Sequence, residues 1–151
     1  MTDLKTIHAS AVLVGARAVL IRGPSGAGKS QLALDLIEAG RCGSLRFTRL
    51  VADDRVHLQA AGGRLLARPA EQLAGLIEVR GIGLLRLAYE ASAVVGLVVD
   101  LAAGDAARLP DTGRRTTQIE GIALPRLAVA ADMAALPAVL ALLTSPVEGW
   151  I

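Results

Sequence analysis

The sequence predicts a layered α/β fold, and three observations carry that reading. Hydrophobic residues make up 53% of the 151, drawn mostly from Ala, Leu and Val, while Phe, Trp and Tyr occur once each, so the core must be aliphatic and built from small pieces. The apolar run Ala18-Val19-Leu20-Ile21 leads directly into a glycine-rich segment and then into a stretch with helical periodicity. VVGLVVDL, residues 94–101, is rich in the β-branched residues that fill central strands. A chain of this length buries roughly 68–70% of the surface its unfolded form exposes, enough for one domain without a disulfide. Residues 1–151 therefore read as a single domain, with no internal repeat or low-complexity linker.

Taken in order, two short strands, 11–14 and 18–22, flank a tight turn at Gly15-Ala16-Arg17. From Lys29 onward Leu32, Ala33, Leu36 and Ile37 recur on one helical face, widened by Leu34, and Gly40 stands where a left-handed C-terminal cap belongs. An arginine-rich connector, 41–49, precedes RLVADD, a short buried strand ending on two acids. Val56, Leu58 and Ala60 then alternate with His57 and Gln59, Gly62-Gly63 turns the chain, and 64–68 returns, a hairpin that Pro69 ends. LIEVRGIGLLRL, 76–87, holds two apolar stretches around Gly81 and Gly83. After the central strand, 105–113 reads as a loop, QIEGIALPRLAV as two short strands broken near Pro125, and 132–143 as a final helix that starts or kinks at Pro137.

Composition excludes several classes of function. The net charge is only +2, the arginines are scattered, and almost no aromatics are available for base stacking, so nucleic acid is not an expected partner. The groups Arg41/Arg46/Arg49/Arg55 and Arg114/Arg115 read as solvated loops or as a docking surface for an acidic partner. Cys42 is the single cysteine and has no metal-ligand spacing around it, which points to a reducing, cytoplasmic location. MTDLKTIHAS has Asp and Lys where a signal peptide needs an unbroken apolar stretch. The longest apolar runs, 91–99 and the Pro137-interrupted 133–143, fall short of the ~20 residues of a membrane span, so a soluble protein with no membrane partner is expected.

GPSGAGKS, residues 23–30, meets the pattern GxxxxGK[ST] at every fixed position, in the strand-before, helix-after context that its physics demands. Gly23, Gly26 and Gly28 lack a Cβ, so the backbone can wrap closely and turn its N–H groups around a polyphosphate; Pro24, Ser25 and Ala27 fill the variable positions of the same cradle. Lys29 adds a point charge toward the β and γ phosphates, Ser30 can place its hydroxyl on Mg²⁺, and the helix N-terminus adds its dipole. ATP and Mg²⁺ are the implied cofactors. Acids are then needed at the end of a neighbouring strand, and Asp53 and Asp54 fit. On an extended strand they point oppositely, so one can hold metal water while the other faces a reacting hydroxyl; the alternative is a turn-forming pair. Glu78 and Arg80, at spacing two, read by themselves as a surface ion pair, while His8 and Arg108 carry no signal of their own.

GPSGAGKSQLALDLIEAG, LVADDRVHL and GLIEVRGIGLL, in this order, resemble the catalytic C-terminal domain of the HPr kinase/phosphorylase family, whose members phosphorylate a serine of the phosphocarrier protein HPr. The resemblance runs from about His8 to Leu127. It implies a P-loop nucleotide-binding fold related to phosphoenolpyruvate carboxykinases, a mixed sheet with flanking helices, and a homo-oligomer, hexameric in the longer members. It also implies ATP, or pyrophosphate in some members, as donor, and HPr or a paralogue as acceptor. Ser30, Asp53 and Glu78 would stand at the metal; Asp54 would accept the proton of the target serine and return it when inorganic phosphate attacks phosphoserine. Arg80 is Glu78's neighbour in the signature, His8 matches a histidine on the strand leading to the loop that sits near the two aspartates, and Arg108 matches an arginine placed toward the phosphate. The resemblance is to the short alphaproteobacterial type without the N-terminal domain. The chain departs from the family in extra residues between Gly40 and Leu50 and in altered C-terminal elements after PRLAVAA, which bear on hexamer formation and on phosphorylase activity. Outside the protein-kinase class, a regulatory nucleotide-sensing module without turnover and a small-molecule kinase stay open.

Overall fold

Every residue from Ala18 to Ile21 is apolar, so this strand must be covered on both faces. The computed structural model describes residues 5–145, leaving the first four residues of the N-terminal segment read above outside it, and shows how that cover is supplied. Its strands are β1 (Thr6–Val14), β2 (Arg17–Arg22), β3 (Thr48–Ala52), β4 (Arg55–Ala61), β5 (Arg64–Pro69), β6 (Leu76–Val79), β7 (Gly83–Arg86), β8 (Ala93–Leu101), β9 (Thr116–Ile119) and β10 (Ile122–Val129). Two α-helices, α1 (Lys29–Arg41) and α2 (Ala135–Thr144), complete the described residues together with short 3₁₀ turns at Glu71–Leu73 and Thr112–Arg114.

The longest strands, β1 and β8, each serve two layers. Residues 6–8 of β1 pair with β4, while 9–14 pair with β2 and 11–14 with β3, all antiparallel. In β8, Ala93 and Val94 pair antiparallel with β5, and the rest of the strand lies parallel to β2 and β10. The main sheet is therefore β3-β1-β2-β8-β10, and β4 and β5 fold over one face of it as a strand layer. On the other face Val12, Val19, Ile21, Leu97 and Val99 pack on Leu32, Ala33, Leu36 and Ile37 of α1 and on Val139 of α2. Between the layers lie Ala9, Ala11, Ala18, Leu20, Val56, Leu65, Ala67 and Val95. Small side chains there let two strand layers approach, which accounts for the alanine-rich, aromatic-poor composition. Each fully buried Leu, Ile or Val contributes about 1.5–3 kcal/mol. The fold is thus mixed α/β with mostly strands; the described helices cover one face and strands the other.

Four strands, β3, β2, β8 and β10, run in one direction and end on one rim, with antiparallel β1 between the first two. That rim receives the glycine loop after β2, Asp53 after β3, Ala102 after β8 and Ala130 after β10. Ligands of open α/β sheets bind outside such carboxyl ends.

Local differences from the sequence reading have physical causes. Strand β1 begins five residues before Ala11 because its first residues gain a partner, β4, remote in sequence. Helix α1 runs through Gly40, and the left-handed residue is Gly43 (φ 83°). Gly40 is required for space instead, since a Cβ there would lie 1.9 Å from Thr48 Oγ1. Pro125 does not break its strand: the break is the Glu120-Gly121 turn, and Pro125 sits where β10 passes from β9 to β8. Helix α2 starts at Ala135, which puts Pro137 in the first turn, where its missing N–H costs no intrahelical bond. The β4–β5 hairpin turns at Gly62-Gly63 as read, both with the positive φ of a type I′ turn. Strands β6 and β7 form a separate two-stranded ribbon.

Candidate functional site

The loop between β2 and α1 owes its shape to its own residues. Gly26 (φ 81°) and Gly28 (φ 98°) occupy the left-handed region, and a Cβ at either would meet nothing within 4 Å, so glycine is demanded by backbone twist and not by crowding. Ala27 N–H donates to the Pro24 carbonyl (3.1 Å), which closes the turn. Gly28 precedes α1 with no side-chain cap, and the first turn carries no acid, so no local side chain answers the helix's leading N–H groups, an arrangement that suits an anion. Lys29 Nζ donates to the carbonyls of Gly23 (2.8 Å) and Pro24 (3.2 Å), which holds its ammonium across the loop.

Asp53, first residue after β3, is 3% exposed, and its carboxylate accepts from three elements. Ser10 Oγ of β1 donates at 2.6 Å, Ser30 Oγ of α1 at 2.8 and 2.9 Å to the two oxygens, and the Glu78 N–H of β6 at 3.2 Å. A buried carboxylate so supplied is fixed in place. Asp54 differs. Its φ of 71° lies in the left-handed region, so the two acids diverge through a turn and not through the alternation of an extended strand, which corrects the sequence reading. Its carboxylate is 3.7 Å from His8 Nδ1, with both side chains about two-thirds exposed (65% for His8, 66% for Asp54).

A cleft of about 390 Å³ brings Ser25, Gly26, Gly28, Lys29 and Ser30 together with Ser10, Asp54, Glu78 and Arg80. Asp53 lies behind this surface, under Ser10 and Ser30. Glu78 and Arg80 share the cleft and make no ion pair with each other, so the surface-pair reading of them fails. His8 sits on β1 opposite Arg55 of β4, beside Asp54 but not on the strand that enters the loop, where the resemblance put it. Arg108 is exposed on the 102–115 segment and does not line the cleft. Among the described residues no group of three or more His, Cys, Asp or Glu is placed to hold a metal. Ser30 and Asp53 offer hard oxygens instead, a donor set that suits Mg²⁺, which takes few protein ligands and keeps its waters.

Sequence reasoning missed Ser10, although a lone hydroxyl in the apolar run ASAVLV is a signal that it has a buried partner. It also missed an ionic network under the rim. Arg22, the last residue of β2, holds Asp100 through two hydrogen bonds (2.7 and 2.8 Å), and Arg126 Nε donates to the same carboxylate at 2.6 Å. Arg126 also grips Asp105 (2.8 and 2.9 Å), its Nη1 donates to the Arg114 carbonyl at 3.2 Å, and its backbone N–H donates to the Arg115 carbonyl at 2.7 Å. Burial favours protonated Asp100, but the hydrogen bonds from Arg22 and Arg126, with their charges, outweigh it and hold the carboxyl below its usual 3.8. The Arg126 hydrogen bond likewise holds Asp105 low, while Asp105 and Asp100 raise Arg126.

The HPr Serine kinase C-terminal domain family matches residues 1–134. HPr kinase/phosphorylase of Streptococcus thermophilus is 41% identical over 97 residues, 62% of this chain and 29% of the relative. That of Streptococcus salivarius is 33% identical over 140 residues, 85% of this chain and 43% of the relative. The chain thus spans less than half the length of these curated relatives. A solved structure of the Hpr(Ser) kinase/phosphatase from Coxiella burnetii superposes with a TM-score of 0.72 at 27% identity, covering 92% of this chain and 93% of that one. The chain belongs to the HPr serine kinase C-terminal domain family.

Proposed function

We propose that this chain is a protein-serine kinase domain of the P-loop type, which transfers the γ-phosphoryl group of MgATP to a serine of HPr or a paralogue. The observation that carries the reading is the division of labour between neighbours: Asp53 is buried and hydrogen-bonded to Ser30, while Asp54 is exposed, beside His8, in the cleft that also holds the glycine loop. The loop N–H groups, the start of α1 and Lys29 would hold the phosphates of the donor and oppose the charge that develops during transfer. Ser30 and Asp53, with Glu78 beside them, would hold Mg²⁺, which when bound polarises the phosphate oxygens. As the serine oxygen bonds to phosphorus and the bond to the ADP oxygen breaks, the serine proton passes to Asp54; His8 lies close enough to orient that carboxylate. In phosphorolysis Asp54 would return the proton to the serine as phosphate takes the phosphoryl group. Arg108 stands outside the cleft, so a role toward phosphate requires its segment to move inward. On this reading residues 1–151 form one catalytic domain that works in the cytoplasm and assembles with copies of itself.

The test is incubation with MgATP and HPr purified from the same organism, read by mass spectrometry of the modified residue. Phosphoserine is expected with the parent chain and is lost in Asp54→Asn, while ATP binding persists. No label on any seryl peptide, with ATP still bound, would instead favour a nucleotide-sensing module without turnover.

A further inference from the structure

The run VVGLVV, residues 94–99, places a glycine inside the central strand β8, where it offers the sheet no side chain and weakens the strand. Backbone twist does not demand Gly96, since its φ lies outside the left-handed region. Space does: a Cβ there would lie 2.8 Å from Cβ and Cδ of Arg17, whose stem runs across the glycine. The ladder also slips at this point. Ala18 of β2 faces Val95 and Val19 faces Leu97, so Gly96 is the extra residue of a bulge, a device that re-aims a neighbouring side chain. The arginine so aimed borders a cavity of about 340 Å³. Strand β2 starts here at Arg17 and ends beside the glycine loop at Arg22, so its length, about 17 Å, separates the cavity from that loop.

Val94, Ile122, Ala123 and Pro125 give the cavity alkyl walls, and its only polar side chains are those of Arg17 and of Arg64, which follows the Gly62-Gly63 turn. No acid lines it. Arg22, Arg41, Arg49 and Arg126 each meet a carboxylate, whereas Arg17 and Arg64 meet none among the described residues. Two permanent charges of one sign thus border a single cavity, and the fork of a guanidinium matches the paired oxygens of a carboxylate or phosphate. Apolar walls with a few polar groups that fix orientation are the usual composition of a small-molecule site. We propose that this cavity binds a small organic anion, its carboxylate or phosphate group held by Arg17 and Arg64 and its apolar body by Val94, Ile122 and Pro125. A polar body would leave its hydroxyls unanswered against these walls. No residue lines both this cavity and the cleft at the glycine loop, so the assignment is independent of nucleotide binding.

Arg17 and Arg64 are exposed, so Arg17→Gln and Arg64→Gln remove a charge without disturbing the core. The parent chain and both variants are titrated with benzoate, phenyl phosphate and benzyl alcohol, which share a ring and differ in head group, while backbone amide NMR shifts are followed. In the parent an anion is expected to shift the amides of residues 63–65, 94–96 and 122–124. Benzyl alcohol should bind there at least about tenfold more weakly, because it forgoes hydrogen bonds between charged groups. Each variant should lose at least about tenfold in affinity for the anion, with the rest of its spectrum intact as the report of folding. Binding of either anion supports the site, and the tighter one identifies the head group. No shift at these amides up to about 10 mM, above the millimolar Kd of so small a probe, would overturn the proposal. So would an equal response to benzyl alcohol, an affinity unaltered in both variants, or shifts confined to the glycine loop.

Discussion

The two sides of the glycine loop are built from opposite materials. On the β3 side Asp53 takes Ser10, Ser30 and the Glu78 amide, leaving the carboxylates of Asp54 and Glu78 exposed in the cleft. On the β8/β10 side the loop borders an alkyl wall that includes Leu101, Ala102, Val129 and Leu136, and the polar order lies beneath the surface, in the Arg22–Asp100–Arg126–Asp105 chain. The contrast teaches how one parallel rim can carry two surfaces. Moving a proton needs a few groups fixed in direction, whereas an alkyl surface needs area, which small residues on strand ends supply.

The sharpest way to test that contrast is to make one substitution at two adjacent positions. Asp54→Asn should lower phosphoserine formation by about 10²–10⁴-fold, the range for loss of a general base. Its melting temperature should hold, because the side chain is exposed and Asn tolerates the left-handed φ of 71°. Asp53→Asn should also abolish turnover but cost about 2–3 kcal/mol of stability, since it weakens charge-assisted bonds and leaves buried Ser10 poorly matched. Equal melting temperatures for the two variants would show that the buried and exposed roles are misassigned.

On the other side, Arg126→Met should cost about 3 kcal/mol, because Arg126 (13% exposed) and Asp100 (14%) form a largely buried pair and the loss of Arg126 strips one charged partner from Asp100. Denaturant unfolding measures this, and a change under 1 kcal/mol would show the network to be idle. The same network sets an acid limit. Asp100 and Asp105 are held below 3.8 in the folded chain, so their contribution is complete above that pH and is lost as pH falls through the lowered values. Arg126→Met should therefore flatten the decline in stability below about pH 3.8.

The two sides also differ in how much of them was legible beforehand. Gly26, Gly28, Lys29 and Ser30 act through local backbone twist and fixed spacing, so the loop could be read from eight consecutive letters. Asp53 and Asp54 were found by their place at a strand end, though their divergence depends on a left-handed turn that DD does not announce. Ser10 meets its partner across 43 positions, and Arg22 meets Asp100 across 78, so only the anomaly of a polar residue in an apolar run hinted at either. The first half of β1 was invisible for the same reason, as its pairing with β4 is remote. Helix α1 was readable from its periodicity, but the role of Gly40 was not, because the Thr48 that forbids a side chain there belongs to another strand. The apolar wall left least trace: Leu101, Val129 and Leu136 look like ordinary core until the rim brings three separate segments together.

The smallest effect bears on whether strain belongs to both sides alike. Ala102 and Asp54 each hold a positive φ, but only the aspartate has a side chain that its neighbours employ. If the φ of 52° at Ala102 is held solely to shape the apolar wall, glycine should relieve it. A left-handed L-residue costs roughly 1–2 kcal/mol, and the added freedom of unfolded glycine offsets about 0.4–1 kcal/mol of the gain. Ala102→Gly should accordingly stabilise the chain by up to about 1 kcal/mol and weaken MgATP affinity severalfold, since a freer backbone no longer pre-shapes the wall beside the glycine loop. A variant that is more stable and binds ATP as tightly as the parent would leave the strain at Ala102 a matter of folding alone, and would confine conformational tension serving function to the acidic side of the loop.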